Sequence, residues 1–349
     1  MNDLSSICCN TRNLSSRLSG VQRYTYEILS RLASIRKINA PQTLSHGLLG
    51  HAWEQVALPF ELNGETLWSP ANTGPLSVRR QVVTIHDLST IDHPEWTSKR
   101  FSSWYKFLIP KLTRRACRIL TVSEYTKDRL IYYVPEAIDK VFVTPLAADP
   151  RFSPVDSLYI RSVVSNLSLP SFNYILAVGS IEPRKNLLTV LKAWESILNK
   201  MPQDVWLFIA GAPGWAHIFG TQIIYDLPCR VHFLGYVPDE FIPALYSGAL
   251  ASVYMSSYEG FGLPPLEAMS CGTPVLVSNS TSLPEVVGDA GLMVDPFDTE
   301  AIGDGLIRLV EDSALRQNLR SLGLARSKQF SWDNTAQQTW QVLEEAARQ

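Results

Sequence analysis

Residues 251–278 read Ala251-Ser-Val-Tyr-Met255-Ser-Ser-Tyr-Glu259-Gly-Phe-Gly262-Leu-Pro-Pro-Leu-Glu267-Ala-Met-Ser-Cys-Gly272-Thr-Pro-Val275-Leu-Val-Ser278. The apolar run Ala251 to Met255 ends in polar serines, which reads as a buried strand. A glycine loop follows. Pro264 and Pro265 then stand where a fixed φ and a missing N–H cost least, at the start of a helix. Val275 to Ser278 is the next buried run. Strand, helix and strand in this order belong to a parallel, doubly wound α/β sheet.

The same alternation extends outward in both directions. Upstream lie strands Ile175 to Val178, Trp206 to Ala210 and Val231 to Leu234, with helices over Leu187 to Leu198 and from Asp239. From Thr299 onward the pattern is almost wholly helical, closing on Trp332 to Ala347. The first half repeats the plan in Ile7 to Cys9, Val82 to Ile85, Ile119 to Val122 and Val141 to Thr144. Its helices follow Ser19-Gly20, with Tyr24, Ile28, Leu29 and Leu32 on one face, and span Tyr125 to Tyr133 behind a Ser123 N-cap. Two Rossmann-like sheets are therefore expected, with ligands in a crevice between them.

A chain of 349 residues predicts two domains. Residues 1–150 hold 18 basic and 13 acidic residues, net +5. The remainder holds 13 and 20, net -7. The proline-rich stretch Pro145 to Pro154 reads as a linker, placing the junction near 148–170. The expected units are 1–150, 151–331, and a closing helix over 332–349 packed back on the first. With 46% hydrophobic and 18% charged residues the chain is not disordered, and a net charge of -2 argues against coating a nucleic acid. Cys8, Cys9, Cys117, Cys229 and Cys271 form no C-x-x-C pair, so buried thiols in a reducing compartment are expected, without a metal site. No cationic start precedes an apolar run at the N-terminus. The longest charge-free run, Val205 to Tyr225, is broken by Gly211, Pro213, Gly214 and Gly220 and reads as strand plus loop rather than a membrane span. Cytoplasmic residence is the expectation.

Four loops carry chemistry. The N–H groups of Gly262, Leu263 and the first helical turn offer an anion site at the positive end of a helix dipole. Glu259 and Glu267, the latter placed in that first turn, would repel phosphate and are assigned to neutral hydroxyls of a sugar and a ribose. The plainer reading has Glu267 favouring the helix terminus and Glu259 solvated. In Val178-Gly179-Ser180-Ile-Glu182-Pro-Arg184-Lys185-Asn186, a guanidinium and an ammonium suit the two phosphates of a leaving diphosphate. The segment Thr11 to Gly20 leads from the first strand into a helix and lets a ligand approach backbone at Gly20. His86-Asp87 directly follows a strand, where His86 could donate to a hydroxyl or be satisfied by loop backbone.

These residues resemble family four of the glycosyltransferases, retaining enzymes of the GT-B fold, over nearly the whole chain. The matching pieces are Ser19-Gly-Val-Gln-Arg-Tyr, Thr84-Ile-His-Asp-Leu, Val122-Ser-Glu-Tyr-Thr, Glu182-Pro-Arg-Lys-Asn, the two-glutamate segment Glu259 to Glu267, and Ser282-Leu-Pro-Glu-Val-Val-Gly-Asp-Ala-Gly. The resemblance implies donor contacts at Gly20, Gly179, Ser180, Arg184, Lys185, Glu259, Gly260, Phe261, Gly262, Leu263, Leu266 and Glu267. It places Asp87 and Ser123 on the acceptor side, and implies catalytic roles for His86, Arg184, Lys185 and Glu259. The Glu-Pro-Arg-Lys-Asn variant looks like the branch handling mannose in bacterial surface polysaccharides, hence GDP-mannose as donor. No metal or other cofactor is implied. Two departures stand out. Ser180 occupies a place where some members have arginine, leaving Arg184 to supply the guanidinium, and the short span from Leu32 to Trp53 is expected to lack a strand of the first sheet.

The expected reaction is hexosyl transfer onto a saccharide or lipid-linked acceptor. The alternatives are hydrolysis by the Glu259–Glu267 pair and a non-catalytic sugar-nucleotide sensor. Residues 99–118 hold Lys99, Arg100, Lys106, Lys111, Arg114, Arg115 and Arg118 with no acid, among Phe101, Trp104, Tyr105 and Phe107. This segment is read either as a peripheral docking site for the inner face of a membrane or as a solvated basic face over core aromatics.

Overall fold

The computed structural model describes residues 7–15, 20–212 and 227–348. The chain forms two compact units, Met1–Leu146 with Ser331–Gln349, and Ala147–Phe330. The first contains β1 (Ile7–Asn10), β2 (Arg36–Ile38), β3 (Thr66–Ser69), β4 (Gln81–Ile85), β5 (Arg118–Thr121) and β6 (Val141–Val143). They hydrogen-bond in the order β2-β1-β3-β4-β5-β6. The second contains β7 (Asn173–Val178), β8 (Val205–Ala210), β9 (Val231–Gly235), β10 (Ala251–Tyr254), β11 (Val275–Ser278) and β12 (Gly291–Val294), in the order β12-β11-β10-β7-β8-β9. Every pairing is parallel.

Parallel sheets need cover on both faces, which is why the central strands are apolar without alternation. Val83, Ile85, Leu112, Ile119 and Leu130 form one core of the first unit. Ile175, Trp194, Leu207, Val253, Leu276 and Leu306 anchor that of the second. Helix Trp332–Ala347 belongs to the first unit, where it packs against helix Gly20–Arg31. Arg31 Nε meets Asp333 Oδ1 at 2.6 Å, and Thr335 Oγ1 donates to the Pro145 carbonyl. Trp332 and Leu343 of this helix are buried.

Several expectations need correction. The strand thought missing between Leu32 and Trp53 is present as β2. It is a three-residue edge strand whose Arg36 and Lys37 are exposed, so it carries no apolar run to read. The units divide after Leu146 rather than near 148–170. β3, β12 and helix Ser157–Asn166 with its Asp156 cap add to the expected elements. Cys8, Cys9 and Cys271 are buried, and burial pushes the Cys8 and Cys271 thiols up to about 12, but Cys117 is half-buried and Cys229 exposed. Of the charge-free run, Val205–Ala210 is strand, while residues 213–226 lie outside the described residues. No described helix is long and apolar enough to cross a membrane.

Leu343 is fully buried. Leu343→Ala should lower unfolding stability by about 2–5 kcal/mol, measured by urea denaturation; a loss below 1 kcal/mol would mean that the closing helix is not part of the first core.

Candidate functional site

β7 and β10 are neighbours in the second sheet, so the loops leaving their carboxyl ends meet. After β7 the chain turns at Gly179, with φ 153°, and passes through a short 3-10 turn, Pro183–Lys185. Asn186 then takes a left-handed conformation and opens helix Leu187–Ile197. Its side-chain Nδ2 donates to Pro296 O, and its side-chain Oδ1 accepts from Thr189 Oγ1, which fixes the turn. Gly211, at the end of β8, lies under this loop. A Cβ there would fall 1.9 Å from Gly179 O, so only glycine lets the two backbones pass.

The loop after β10 is tied to the loop after β7 through backbone. Ser257 N donates to Arg184 O at 2.8 Å. Glu259 thereby comes against both cations: Oε1 lies 2.6 Å from Lys185 Nζ and Oε2 2.9 Å from Arg184 Nη1. Tyr254 Oη donates to Glu259 Oε1 at 2.8 Å and accepts from Lys185 Nζ. Ser256 Oγ lies 2.7 Å from the same oxygen. Arg184 Nε completes a second pair with Glu182 Oε2 at 2.8 Å, and Ser180 Oγ donates to the other Glu182 oxygen. Two cations and two carboxylates sum to zero formal charge. Gly179, Ser180, Lys185, Tyr254 and Met255 line a small cavity beside them.

The Glu259 and Lys185 side chains are only 10% and 13% exposed. Burial raises the Glu259 pKa, but the charges of Arg184 and Lys185 and the hydrogen bonds from Lys185 and Ser256 outweigh it, leaving the carboxyl at about 2. Burial, reinforced by Arg184, pulls the Lys185 ammonium below its ordinary value, and Glu259 opposes that fall. Burial and the Glu259 charge push the Tyr254 phenol far up, so it stays a donor. Burial would raise Glu182, yet Arg184, Ser180 and Lys185 hold it low.

This arrangement changes the assignment of Glu259. Expected to face neutral hydroxyls apart from the cations, it is their counter-ion. Glu267 sits in the second turn of helix Leu263–Ser270, not the first, and its charge acts on Tyr246 and Cys271. The anion site at that helix start is also poorer than expected. Prolines fill its second and third positions, so Gly262 and Leu263 alone supply N–H groups before Leu266, which bonds to Gly262 O. Gly262 has φ 118°, and a Cβ there would meet Leu283 Cδ2 at 2.5 Å. Phe261 packs edge-on against Phe330, centroids 5.7 Å apart, and Leu266 is fully buried, which makes both core residues; Gly260 is also buried. The site roles of Tyr254 and Ser256, of Glu182 as partner of Arg184, and of Gly211 beneath Gly179 are not legible in the sequence, because their signals lie inside a buried strand or beside a stronger motif.

In the first unit, His86 is buried against the edge of Tyr24, and its Nε2 lies 2.7 Å from Pro70 O. A carbonyl only accepts, so Nε2 carries the proton and is spent on loop backbone rather than offered to a hydroxyl. Burial lowers the His86 pKa, so the ring is neutral. Asp87 Oδ1 accepts from Ser89 N and Oγ, holding a turn. Ser123 is buried, caps helix Glu124–Tyr133 through Thr126 N and donates to Thr126 Oγ1, which bonds to His86 O. Gly20 is the exposed first residue of its helix, while residues 16–19 before it lie outside the described residues.

Residues 164–324 match the family model described as glycosyl transferases group 1. The chain is 38% identical over 271 residues to the O-antigen chain mannosyltransferase B of Escherichia coli, covering 76% of this chain and 70% of that one. It is 32% identical over 282 residues to the serotype-specific mannosyltransferase WbdA of Escherichia coli, covering 78% of this chain and about a third of that longer protein (34%). Its fold is similar to that of sucrose-phosphate synthase from Thermosynechococcus elongatus, with a TM-score of 0.76 at 20% identity, covering 97% and 98% of the two chains. The two six-stranded parallel sheets are those of the GT-B fold.

Because the folded pKa of Glu259 lies below its ordinary 4.5, its contribution to stability is present above pH 4.5 and disappears as pH falls toward 2. Thermal unfolding across that range should show wild type more stable than Glu259→Gln at pH 6, with the gap closing on acidification. A gap independent of pH would contradict the ion pairing.

Proposed function

The chain belongs to the group 1 glycosyl transferases, and from that premise we propose that it moves mannose from GDP-mannose onto a saccharide or lipid-linked acceptor in bacterial surface polysaccharide synthesis. The sugar rests on the activity for which the mannosyltransferase relatives are named, and the nucleotide on the resemblance of Glu182-Pro-Arg-Lys-Asn to the mannose-handling branch.

The observation that carries the mechanism is the Arg184–Lys185–Glu259 cluster. Both cations are held by carboxylates in a nearly dry setting, so a diphosphate entering beside them offers replacement partners of the same sign. As the glycosidic C–O bond breaks, charge develops on the leaving diphosphate, and the fork of Arg184 and the point charge of Lys185 stabilise it there. Glu259, relieved of its counter-ions but still hydrogen-bonded by Tyr254 and Ser256, turns an oxygen toward the sugar hydroxyls. With these cations supplying the counter-charge, transfer is expected to run without a divalent metal and with retention, as the family resemblance implies. A carboxyl at about 2 excludes Glu259 as the general acid of a carboxylate-pair hydrolase near neutrality, and that reading leaves Arg184 and Lys185 without a role.

For the site of action we propose the cytoplasmic face of a membrane, approached through the basic helix Lys99–Arg115, with no nucleic-acid partner.

Incubation with GDP-mannose and an oligosaccharide acceptor should give a mannosylated product and GDP at a rate unaffected by EDTA. Lys185→Ala should slow transfer about a hundredfold, corresponding to about 3 kcal/mol of barrier. Near-normal turnover in that variant would overturn the leaving-group role, GDP binding without any product would favour a sensor, and release of free mannose alone would favour hydrolysis.

A further inference from the structure

Helix Gly47–Val56 buries its one carboxylate and leaves a row of aliphatic side chains in solvent. Its single charged side chain, Glu54, is 1% exposed, accepting from Asn10 Nδ2 at 2.7 Å and Thr73 Oγ1 at 2.9 Å, with Arg12 Nη2 at 3.4 Å. Trp53 is buried in the core with Ile38, Leu58 and Leu67, whereas the aliphatic side chains of the helix face outward. Leu48 is 82% exposed, Leu49 59% and Val56 66%, and Phe60 in the following 3-10 turn is 86% exposed. Leu48, Ala52 and Val56 follow one another at a spacing of four and form one exposed row. Between His46 and Phe60 no other charged residue interrupts this surface. Single exposed leucines are ordinary, whereas a continuous row of this kind marks an interaction surface.

The row does not stand alone. The ring of His51, one turn beyond Leu48, lies 5.9 Å from Trp104 and 6.1 Å from Tyr105 of helix Lys99–Arg115. Trp104 in turn stacks against the half-exposed Phe107 at 6.0 Å, and Lys111 Nζ sits 3.8 Å over the Phe107 ring. That second helix has no acidic residue and exposes Lys99, Arg100, Lys106, Lys111 and Arg115. Apolar side chains beside an acid-free cationic helix complement one kind of surface, a bilayer whose phosphates are anionic and whose acyl layer begins a few ångströms below. A second copy of the chain fits less well, because a two-fold contact through this face would set the same cations against each other.

We propose that the face formed by Leu48, Leu49, Val56 and Phe60 inserts into the acyl boundary of an anionic bilayer while the cations of helix Lys99–Arg115 meet lipid phosphates. This deepens, and rests on, the membrane approach proposed above through the basic helix, to which it adds the apolar half. Insertion and charge then contribute separately, so they can be removed separately.

The test is sedimentation of the full chain with vesicles of phosphatidylcholine mixed with phosphatidylglycerol, and of phosphatidylcholine alone. Wild type should sediment with the mixed vesicles. Leu48→Ser/Phe60→Ser should lower the apparent affinity about tenfold or more and leave a residue of binding that salt abolishes. Lys106→Gln/Lys111→Gln should instead remove the preference for phosphatidylglycerol. Both double variants change exposed positions, and transfer to a water-soluble oligosaccharide should stay at the wild-type rate, which shows that they are folded. Equal vesicle affinity for wild type and Leu48→Ser/Phe60→Ser would overturn insertion while leaving the basic-helix approach standing. Failure of the wild type to bind either vesicle would overturn both. A dimer in light scattering that Leu48→Ser/Phe60→Ser abolishes would reassign the face to self-association.

Discussion

A buried ammonium and a buried carboxylate cannot remain charged apart from each other, and this requirement organises the second unit. Lys185 and Glu259 stand 74 residues apart in the chain. They meet because β7 and β10 are adjacent parallel strands whose carboxyl-end loops emerge side by side. The contact is reinforced at each level. Ser257 N and Ser256 Oγ hold the Arg184 carbonyl, Tyr254 bridges the ammonium and the carboxylate, and Glu182 occupies the other edge of the guanidinium. Gly211 permits the crossing beneath Gly179. Remove one charge and the others are left desolvated without compensation.

The same pairing shapes the chemistry. A cluster with no net formal charge does not attract a dianion at long range, but it holds two cations pre-oriented and poorly hydrated, so that a phosphate group displacing a carboxylate gains charge-assisted bonds without first ordering flexible side chains. The neighbouring helix contributes less than its glycine loop implies, since Pro264 and Pro265 remove two of its first-turn donors. The recognition of negative charge therefore falls to side chains more than to backbone. Glu259, as their resting counter-ion, couples the leaving-group end of the site to the sugar end.

The fold was legible where strands carry continuous β-branched or apolar runs. Continuous runs such as Val82 to Ile85 and Ile175 to Val178 need no alternation because both faces are covered, and they announced two parallel sheets. The edge strand β2 was not legible, because it carries Arg36 and Lys37 at exposed positions and has no hydrophobic signature, whereas edge strands β6 and β9 keep apolar runs. Arg184, Lys185 and Glu259 were visible as residue types in characteristic loops, but their mutual pairing was not, because ion pairing between loops is decided by strand order, which spacing along the chain does not encode. Tyr254 was hidden for a related reason, since one hydroxyl in a fully buried strand looks like core. His86 shows the converse. Its position at a strand end invited a chemical role, whereas the local backbone at Pro70 satisfies its ring proton.

The central claim is that Arg184 and Lys185 exchange Glu259 for the diphosphate of the donor. It is tested most directly by calorimetric titration of GDP into wild type and Glu259→Gln at neutral pH. With the competing carboxylate neutralised, the two cations should bind GDP more tightly than in the wild type, even though the variant transfers no sugar efficiently. Weaker GDP binding by a folded Glu259→Gln protein would contradict the exchange and leave the cluster as a structural brace.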